Sequence, residues 1–315
     1  MAIEPEAGVQ SSDGKPNILN RKPDIDLCIC SYRRPEIVET LAAVSRQTQI
    51  EPGRLRVVVA DNSVHGEGRA WVLYAAAEYG IDLHYVHAPA NNISVARNAC
   101  LDAAGGQWVA FLDDDEIPAP NWLSALLEEA TRGHWDAVLG PVTAIYPDGV
   151  PPWLGQGDFH STWPIWTGGK IQTAYTGNVL FRRDLAEMHG LRFRDELGRT
   201  GGEDEDFFYR FGDAGGRIGF APDAVVFERV DRKRANLLWL LRRNFRAGQS
   251  HGSRLKRKNR TFLPFIAAAA KVAICAMGAA VHLASVHQRN RLLIRAALHC
   301  GVVARLSGIG EIRMY

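Results

Sequence analysis

The chain has 315 residues, 46% hydrophobic and 23% charged, which excludes collagen-like and low-complexity classes and is long enough to bury a core without disulfides or a structural metal. Its net charge of +2 conceals an uneven split. Residues 229–315 hold 18 Lys and Arg against Asp231 and Glu311, while residues 1–228 hold 19 against 33 acidic side chains, so an acidic body carries a basic tail suited to an anionic partner.

Residues 1–24 mix Pro, Gly, Ser and charge with no apolar run for a signal-peptide core, and are expected to form a disordered lead. Order is expected from an apolar strand, Ile25–Cys30, which stops at Ser31-Tyr32-Arg33-Arg34-Pro35. Helical spacing over Glu36–Gln47 is followed by a strand, Leu55–Ala60, that ends at Asp61-Asn62-Ser63. A helix near Ala70–Tyr79, a strand at Leu83–His87 and a helix carrying Asn92–Asn98 lead to a strand at Trp108–Leu112, which runs into Asp113-Asp114-Asp115-Glu116. This alternation predicts βαβ units, hence an α/β fold with a mainly parallel sheet flanked by helices, and ligands at the carboxyl ends of its strands. Each polar cluster alone is ordinary turn chemistry. Three on one sheet edge point to a shared ligand site.

The second half is less regular. Strands are expected at Asp136–Ile145 and Ala174–Phe181 with an aromatic-rich loop between them, then a helix opened by Gly201–Asp206, strands at Arg217–Phe220 and Ala224–Glu228, and a helix near Leu237–Gly248. The five cysteines lack metal-ligand spacing and read as reduced core thiols; Cys28 and Cys30 alternate along one strand and so share a face.

Three aspartates and a glutamate in sequence, Asp113–Glu116, crowd negative charge that a shared divalent cation would relieve. Mg2+ or Mn2+ suits such a site, because it takes one or two protein carboxylates and completes its shell with water and phosphate oxygens. A solvated acidic turn is the plainer alternative. A further one is a phosphatase of the haloacid-dehalogenase type, with Asp113 and Asp115 as nucleophile and acid. In the second cluster, Glu203–Asp206 suits a helix N-terminus by its dipole alone. A carboxylate there could also deprotonate an attacking hydroxyl.

Taken together, SYRRP, ADNS, NNISVARN, FLDDDE, TGNVLFRRD and GGEDEDFFYRF resemble the inverting family 2 glycosyltransferases of the GT-A fold, and among them the bacterial exopolysaccharide enzymes of the succinoglycan type. The resemblance runs from about Ile25 to the C terminus. It implies a GT-A domain over residues 25–250 and a basic helical extension over 251–315. It also implies transfer of a sugar, glucose in β-1,4 linkage, from a UDP-sugar to a polyprenyl-diphosphate-linked oligosaccharide, with Mn2+ or Mg2+ as cofactor. By the same resemblance Tyr32 stacks on uracil beside Ser31, Arg33 nears the phosphates, Asp61 accepts the uracil N3 proton and Arg97 faces the uracil or diphosphate. Asp113 holds the ribose and Asp115 the metal, with Asp113 near enough to share it, while Asp114 and Glu116 line the donor sugar or support the residues that do. Asp204 is the general base, beside Glu203. The family's Gln-x-x-Arg-Trp tract is missing; Arg243 or Arg246 stands in a comparable position for the diphosphate. Trp163 and Trp166 are candidate acceptor platforms, with Gly177 and Asn178 near the sugar.

Leu263–Val286 is long enough to span a bilayer, but its alanines, Pro264, Lys271 and His282 argue for helices lying on the cytoplasmic face of the membrane. Nucleic acid is a poor partner, because the acidic body carries the recognisable site.

Overall fold

The computed structural model describes residues 24–312, except residue 52. The expected disordered lead therefore lies, apart from Asp24, outside the described residues. The chain begins with β1 (Ile25–Ser31), α1 (Ile37–Val44), β2 (Leu55–Asp61), α2 (Arg69–Tyr79), β3 (Leu83–His87), α3 (Ile93–Ala103) and β4 (Trp108–Asp113). Then follow β5 (Glu116–Pro118), α4 (Trp122–Gly133), β6 (Ala137–Leu139), β7 (Val142–Ile145), α5 (Pro152–Gly157), β8 (Trp166–Thr167), β9 (Lys170–Ile171), β10 (Asn178–Arg182) and α6 (Arg183–Met188). The last part holds α7 (Glu203–Asp213), β11 (Ile218–Phe220), β12 (Val226–Arg229), α8 (Leu237–Arg257), α9 (Phe262–Val281) and α10 (Val286–Leu306).

Seven strands form one sheet in the order β11-β6-β10-β4-β1-β2-β3. The expected mainly parallel α/β sheet is present; β10 alone runs against its neighbours β4 and β6. Central strands buried on both faces read as continuous apolar runs, as Val57–Ala60 and Val109–Leu112 do. Cys28 and Cys100 are buried and Cys30 packs against the same apolar cluster; all five cysteines are free thiols. A small sheet, β5-β12-β7, stands beside the large one.

Two strand expectations are corrected. Asp136–Ile145 is divided at Gly140-Pro141 into β6 in the large sheet and β7 in the small one. Proline has no N–H for a ladder, and a Cβ at Gly140 would lie 2.1 Å from the Ala224 carbonyl. The strand expected from Ala174 begins only at Asn178, because Tyr175 is drawn off to donate its hydroxyl to Gly140 O at 2.6 Å. The sequence reading also omitted α4, whose buried Trp122, Leu123 and Leu126 pack in the core.

An aromatic cluster fixes α7 to the sheet. Phe193 and Phe207 stack at 4.3 Å between ring centres, while Phe207, Phe208 and Phe211 each set an edge or face against Phe181 of β10. Beyond α7, α8 is capped by Asn236, whose side chain accepts Trp239 N–H at 2.9 Å, and it runs nine residues past the expected end at Gly248. The division expected at residue 250 thus falls inside a continuous helix. α10 packs against both α8 and α9. The α8–α10 crossing is backbone to backbone: a Cβ at Gly248 would meet Leu298 O at 1.9 Å, and one at Gly301 would meet Phe245 O at 2.0 Å. The apolar stretch from Leu263 is helical to Val281, and α9 is, among the described residues, the one helix long and apolar enough to cross a membrane.

Asn178, expected near an acceptor sugar, is instead a buried brace. Its Oδ1 accepts Trp122 Nε1–H at 2.7 Å, and its Nδ2 donates to Pro141 O at 2.9 Å and Ala224 O at 2.8 Å. Asn178→Ala leaves Trp122 Nε1–H and Ala224 O buried and unpaired, while Pro141 O keeps Val226 N–H at 3.1 Å, so chemical denaturation should show a loss of about 2–3 kcal/mol. A change below about 0.5 kcal/mol would contradict the bracing role.

Candidate active site

Strand register brings the polar clusters together. β1 pairs Ser31 with Asp61 and Cys30 with Asp113, so the ends of β1, β2 and β4 form one edge. A cleft of about 750 Å3 opens there. The sheet edge lends it Tyr32, Arg34, Asn62 and Asp113–Glu116; the start of α7 lends Gly201–Glu205; α8 lends Trp239 and Arg243. Both acidic clusters seen in the sequence, over 80 positions apart, line this single cleft.

Arg97 of α3 joins them. It is buried, pairs through Nη1 with Glu203, and holds Nη2 3.9 Å from Asp113 Oδ1. Burial works against its charge, yet Glu203, Asp113 and Asp204 outweigh that and keep the guanidinium protonated. Its helix is anchored by Asn92, which accepts Ser94 N–H at 3.0 Å and donates to Asp195 O at 2.9 Å. That contact requires glycine at 198, where a Cβ would fall 1.8 Å from Asn92 Oδ1.

The Asp113–Glu116 turn has inward and outward members. Asp114 is buried, accepts Tyr32 N–H at 3.4 Å, and its pKa is pushed up to about 7, by burial first and Asp115 next, with Arg34 opposing. Glu116 is also buried; its Oε2 accepts Asp113 N–H at 2.8 Å, and burial raises its carboxyl well above the usual range. Gly177 makes room for it, since a Cβ there would lie 2.5 Å from Glu116 Oε1. Gly177 lines the cleft, but its evident contribution is this space. Asp115 is paired with Arg34.

Across the cleft, Gly201 and Gly202 have φ of 87° and 86°, a conformation that side chains disfavour, and they launch α7 with Glu203 and Asp204 at its first turn. Asp204 Oδ1 accepts Glu205 N–H at 2.8 Å. Burial, then Glu203, pushes the Asp204 pKa up to about 7 against the pull of Arg97.

Several expected site residues stand elsewhere. Asp61 is buried and saturated: Oδ1 accepts Ser63 N–H and O–H at 2.9 and 2.6 Å, and Oδ2 accepts Gly68 N–H and Tyr85 O–H at 3.0 and 2.9 Å. No lone pair is left for a base, and Asn62 faces the cleft in its place. Ser31 is buried and outside the cleft lining. Arg33 has φ 55° and turns away to Glu67 at 2.7 Å, so Arg34 is the arginine of this loop that enters the cleft. Adjacent arginines carry no signal for which one turns inward. Trp163 lines the cleft, while Trp166 sits exposed on β8 outside it. Arg246 donates to Thr200 O at 3.0 Å and Gly201 O at 2.8 Å, so it supports the glycine turn and does not reach the cleft. Glu228 and Trp239 line the cleft without having been expected there, and His160, expected only as part of the aromatic-rich loop, stacks on Trp239 with ring centres 5.2 Å apart.

Comparison with known proteins fits this geometry. The model of "Glycosyl transferase family 2" matches residues 26–190. The succinoglycan biosynthesis protein ExoM of Rhizobium meliloti is 47% identical over 299 residues, spanning 94% of this chain and 97% of the relative. The chain belongs to glycosyl transferase family 2. Among solved structures, the mannosyltransferase PcManGT of Pyrobaculum calidifontis, in complex with GDP-Man and Mn2+, superposes with a TM-score of 0.64 at 20% identity, covering 91% of this chain and 88% of that one. Staphylococcus aureus TarS 1-349 in complex with UDP gives 0.52 at 16% identity, covering 90% and 92%. These likenesses show that this family 2 transferase has the GT-A fold.

The donor set of the transferase suits a hard divalent ion. Asp113 and Asp115 offer carboxylate oxygens at the cleft, and a cationic group, the Arg34 guanidinium, already sits against Asp115. Among the described residues no three ligating side chains converge, so an ion here would complete its shell with substrate oxygens and water.

The Arg97 pair yields a test. Arg97→Met leaves Glu203 buried without its cation, and urea denaturation should show a loss of about 3–5 kcal/mol. Arg97→Lys should recover only part, because one ammonium cannot reproduce the fork. An unchanged midpoint in Arg97→Met would mean that the pair does not tie the clusters.

Proposed function

We propose that the cleft binds a UDP-sugar with Mn2+ or Mg2+ and transfers the sugar, with inversion, to a polyprenyl-diphosphate-linked oligosaccharide in exopolysaccharide assembly, the sugar being glucose joined β-1,4. The observation that carries this reading is the meeting of Asp113 and Asp115 with Glu203 and Asp204 in one cleft. The succinoglycan role of the 47%-identical relative supports the polysaccharide class, and the nucleotide-bound structural neighbours support a sugar-nucleotide donor.

In this reading Tyr32 stacks on the uracil, Asp113 meets the ribose, and Asp115 with Asp113 holds the ion. A bound ion supplies positive charge to the departing diphosphate. Arg34 releases Asp115 and, with Arg243, faces the phosphates. Asp204 takes the proton from the acceptor hydroxyl. That oxygen bonds to C1 as the bond from C1 to the diphosphate oxygen breaks on the opposite side, which converts an α donor to a β product. A carboxyl group poised near pH 7 is a stronger base than an ordinary aspartate while still ionising in the working range. Trp163 offers an aromatic face to the acceptor. The apolar side chains that α9 exposes, Leu263, Ile274, Met277 and Val281 among them, together with the basic tail, support attachment to the cytoplasmic face of the membrane.

Release of UDP from a panel of UDP-sugars, with membrane lipid extract as acceptor source, tests this directly. One donor should turn over only with Mn2+ or Mg2+, and Asp115→Asn and Asp204→Asn should each lower kcat at least about 100-fold, with UDP binding retained in Asp204→Asn. Absence of UDP binding by the native chain would overturn the donor assignment. Because the base must be ionised, kcat/KM should rise with pH with a midpoint near 7. A profile flat from pH 6 to 8 would remove Asp204 from that role.

A further inference from the structure

A second cavity, of about 480 Å3, lies among α7, α8, α9 and α10. It adjoins the active-site cleft, and Ile165, Thr173, Gly201, Gly202 and Glu205 line both.

Its wall combines two kinds of surface. Pro264, Ala267 and Ala268 of α9 are apolar, whereas Arg254 and His251 of α8, Lys271 of α9 and His299 of α10 gather basic groups. Two other arginines of the cavity are paired: Arg246 with Glu311 at 2.9 Å, which Arg305 also approaches, and Arg257 with Asp206 at 3.2 Å, which Arg210 and Arg194 share. Arg254 and Lys271 have no carboxylate within 4.0 Å among the described residues. Arg254 rests on the Tyr209 ring, 3.9 Å from its centre, with Nη2 3.5 Å from His251 Nδ1; Glu205 is the acidic residue that it faces at longer range. Burial and the neighbouring cations hold His251 and His299 toward the neutral form, so the unpaired charges are Arg254 and Lys271, which an anion seated between them would offset. A hydrophilic anion has no use for the α9 wall, and a neutral lipid has none for the cations. Both together specify an amphiphile with a polyanionic head.

We propose that this cavity seats the diphosphate and first carbons of a lipid-diphosphate acceptor, with Arg254 and Lys271 on the phosphates, α9 along the chain, and the sugar end passing Gly201–Gly202 to reach Asp204. The purpose of the site rests on the transferase reading above; the binding of a lipid diphosphate does not.

The test is calorimetric titration of the full chain with farnesyl diphosphate, inorganic diphosphate and farnesol, in saturating UDP and excess Mn2+ so that the donor cleft is filled. Farnesyl diphosphate should bind at least about tenfold more tightly than either of the other two. Lys271→Glu and the double variant Arg254→Ala/Lys271→Ala should weaken it at least about tenfold, with UDP affinity, read in a separate titration, within about twofold of native. Lys271 is exposed and makes no ion pair among the described residues, so its substitution does not endanger folding. Equal binding of farnesyl diphosphate to native and Lys271→Glu chains would overturn the proposal, and so would equal affinity for inorganic diphosphate, which would mark a free-anion site. Failure of UDP to bind the native chain would instead strike the transferase reading and leave the lipid titration, run without nucleotide, to be judged separately.

Discussion

One guanidinium sets the condition under which this active site exists. The cleft gathers Asp113, Asp114, Asp115, Glu116, Glu203, Asp204 and Glu205, a density of carboxylates that would repel α7 from the sheet edge if nothing lay between them. Arg97 lies between them, buried, reaching Glu203 on α7 and Asp113 on β4. Protonation helps as well, because burial shifts Asp114 and Asp204 toward neutrality and lowers the charge that Arg97 and Arg34 must balance. The same crowding leaves the cleft with a negative charge density that a cation would relieve.

The helical C-terminal part belongs to this arrangement. Arg246 of α8 grips the carbonyls of Thr200 and Gly201, the turn that aims α7, and Glu311 from the end of the described chain closes on Arg246. Glu203 and Asp204 are thus held on one side by the phenylalanine cluster against β10 and on the other by α8. The basic helix α8 thus also buttresses the turn at Gly201 and Gly202.

The fold was legible because its signals are local. Apolar runs ending in SYRRP, DNS and DDDE mark parallel strands and their carboxyl edge, and the βαβ rule aligns those edges without any knowledge of side-chain contacts. What could not be read were residues whose partners lie far along the chain. Asp61 looks like a ligand residue until Tyr85 and Gly68 are seen to use its second oxygen, and Asn178 looks like an acceptor contact until Trp122, Pro141 and Ala224 are found around it. Arg246 was misplaced for the same reason. The choice between Arg33 and Arg34 turned on a single left-handed residue in the loop. Motif similarity identifies which residues cluster; only tertiary geometry tells which of them still have a free hydrogen-bonding position.

The glycine contact between α8 and α10 sets a scale for the whole C-terminal assembly. With Gly248 and Gly301 each against the opposing main chain, sliding α10 by one turn, about 5.4 Å, would put Ala297 or Arg305 where not even a methyl group fits. The two helices are therefore indexed, like a key cut for one depth. α9 packs on α10 with Gly278 against the Leu292 side chain, so the index reaches Lys271 by way of a second contact that side chains, not main-chain atoms, make.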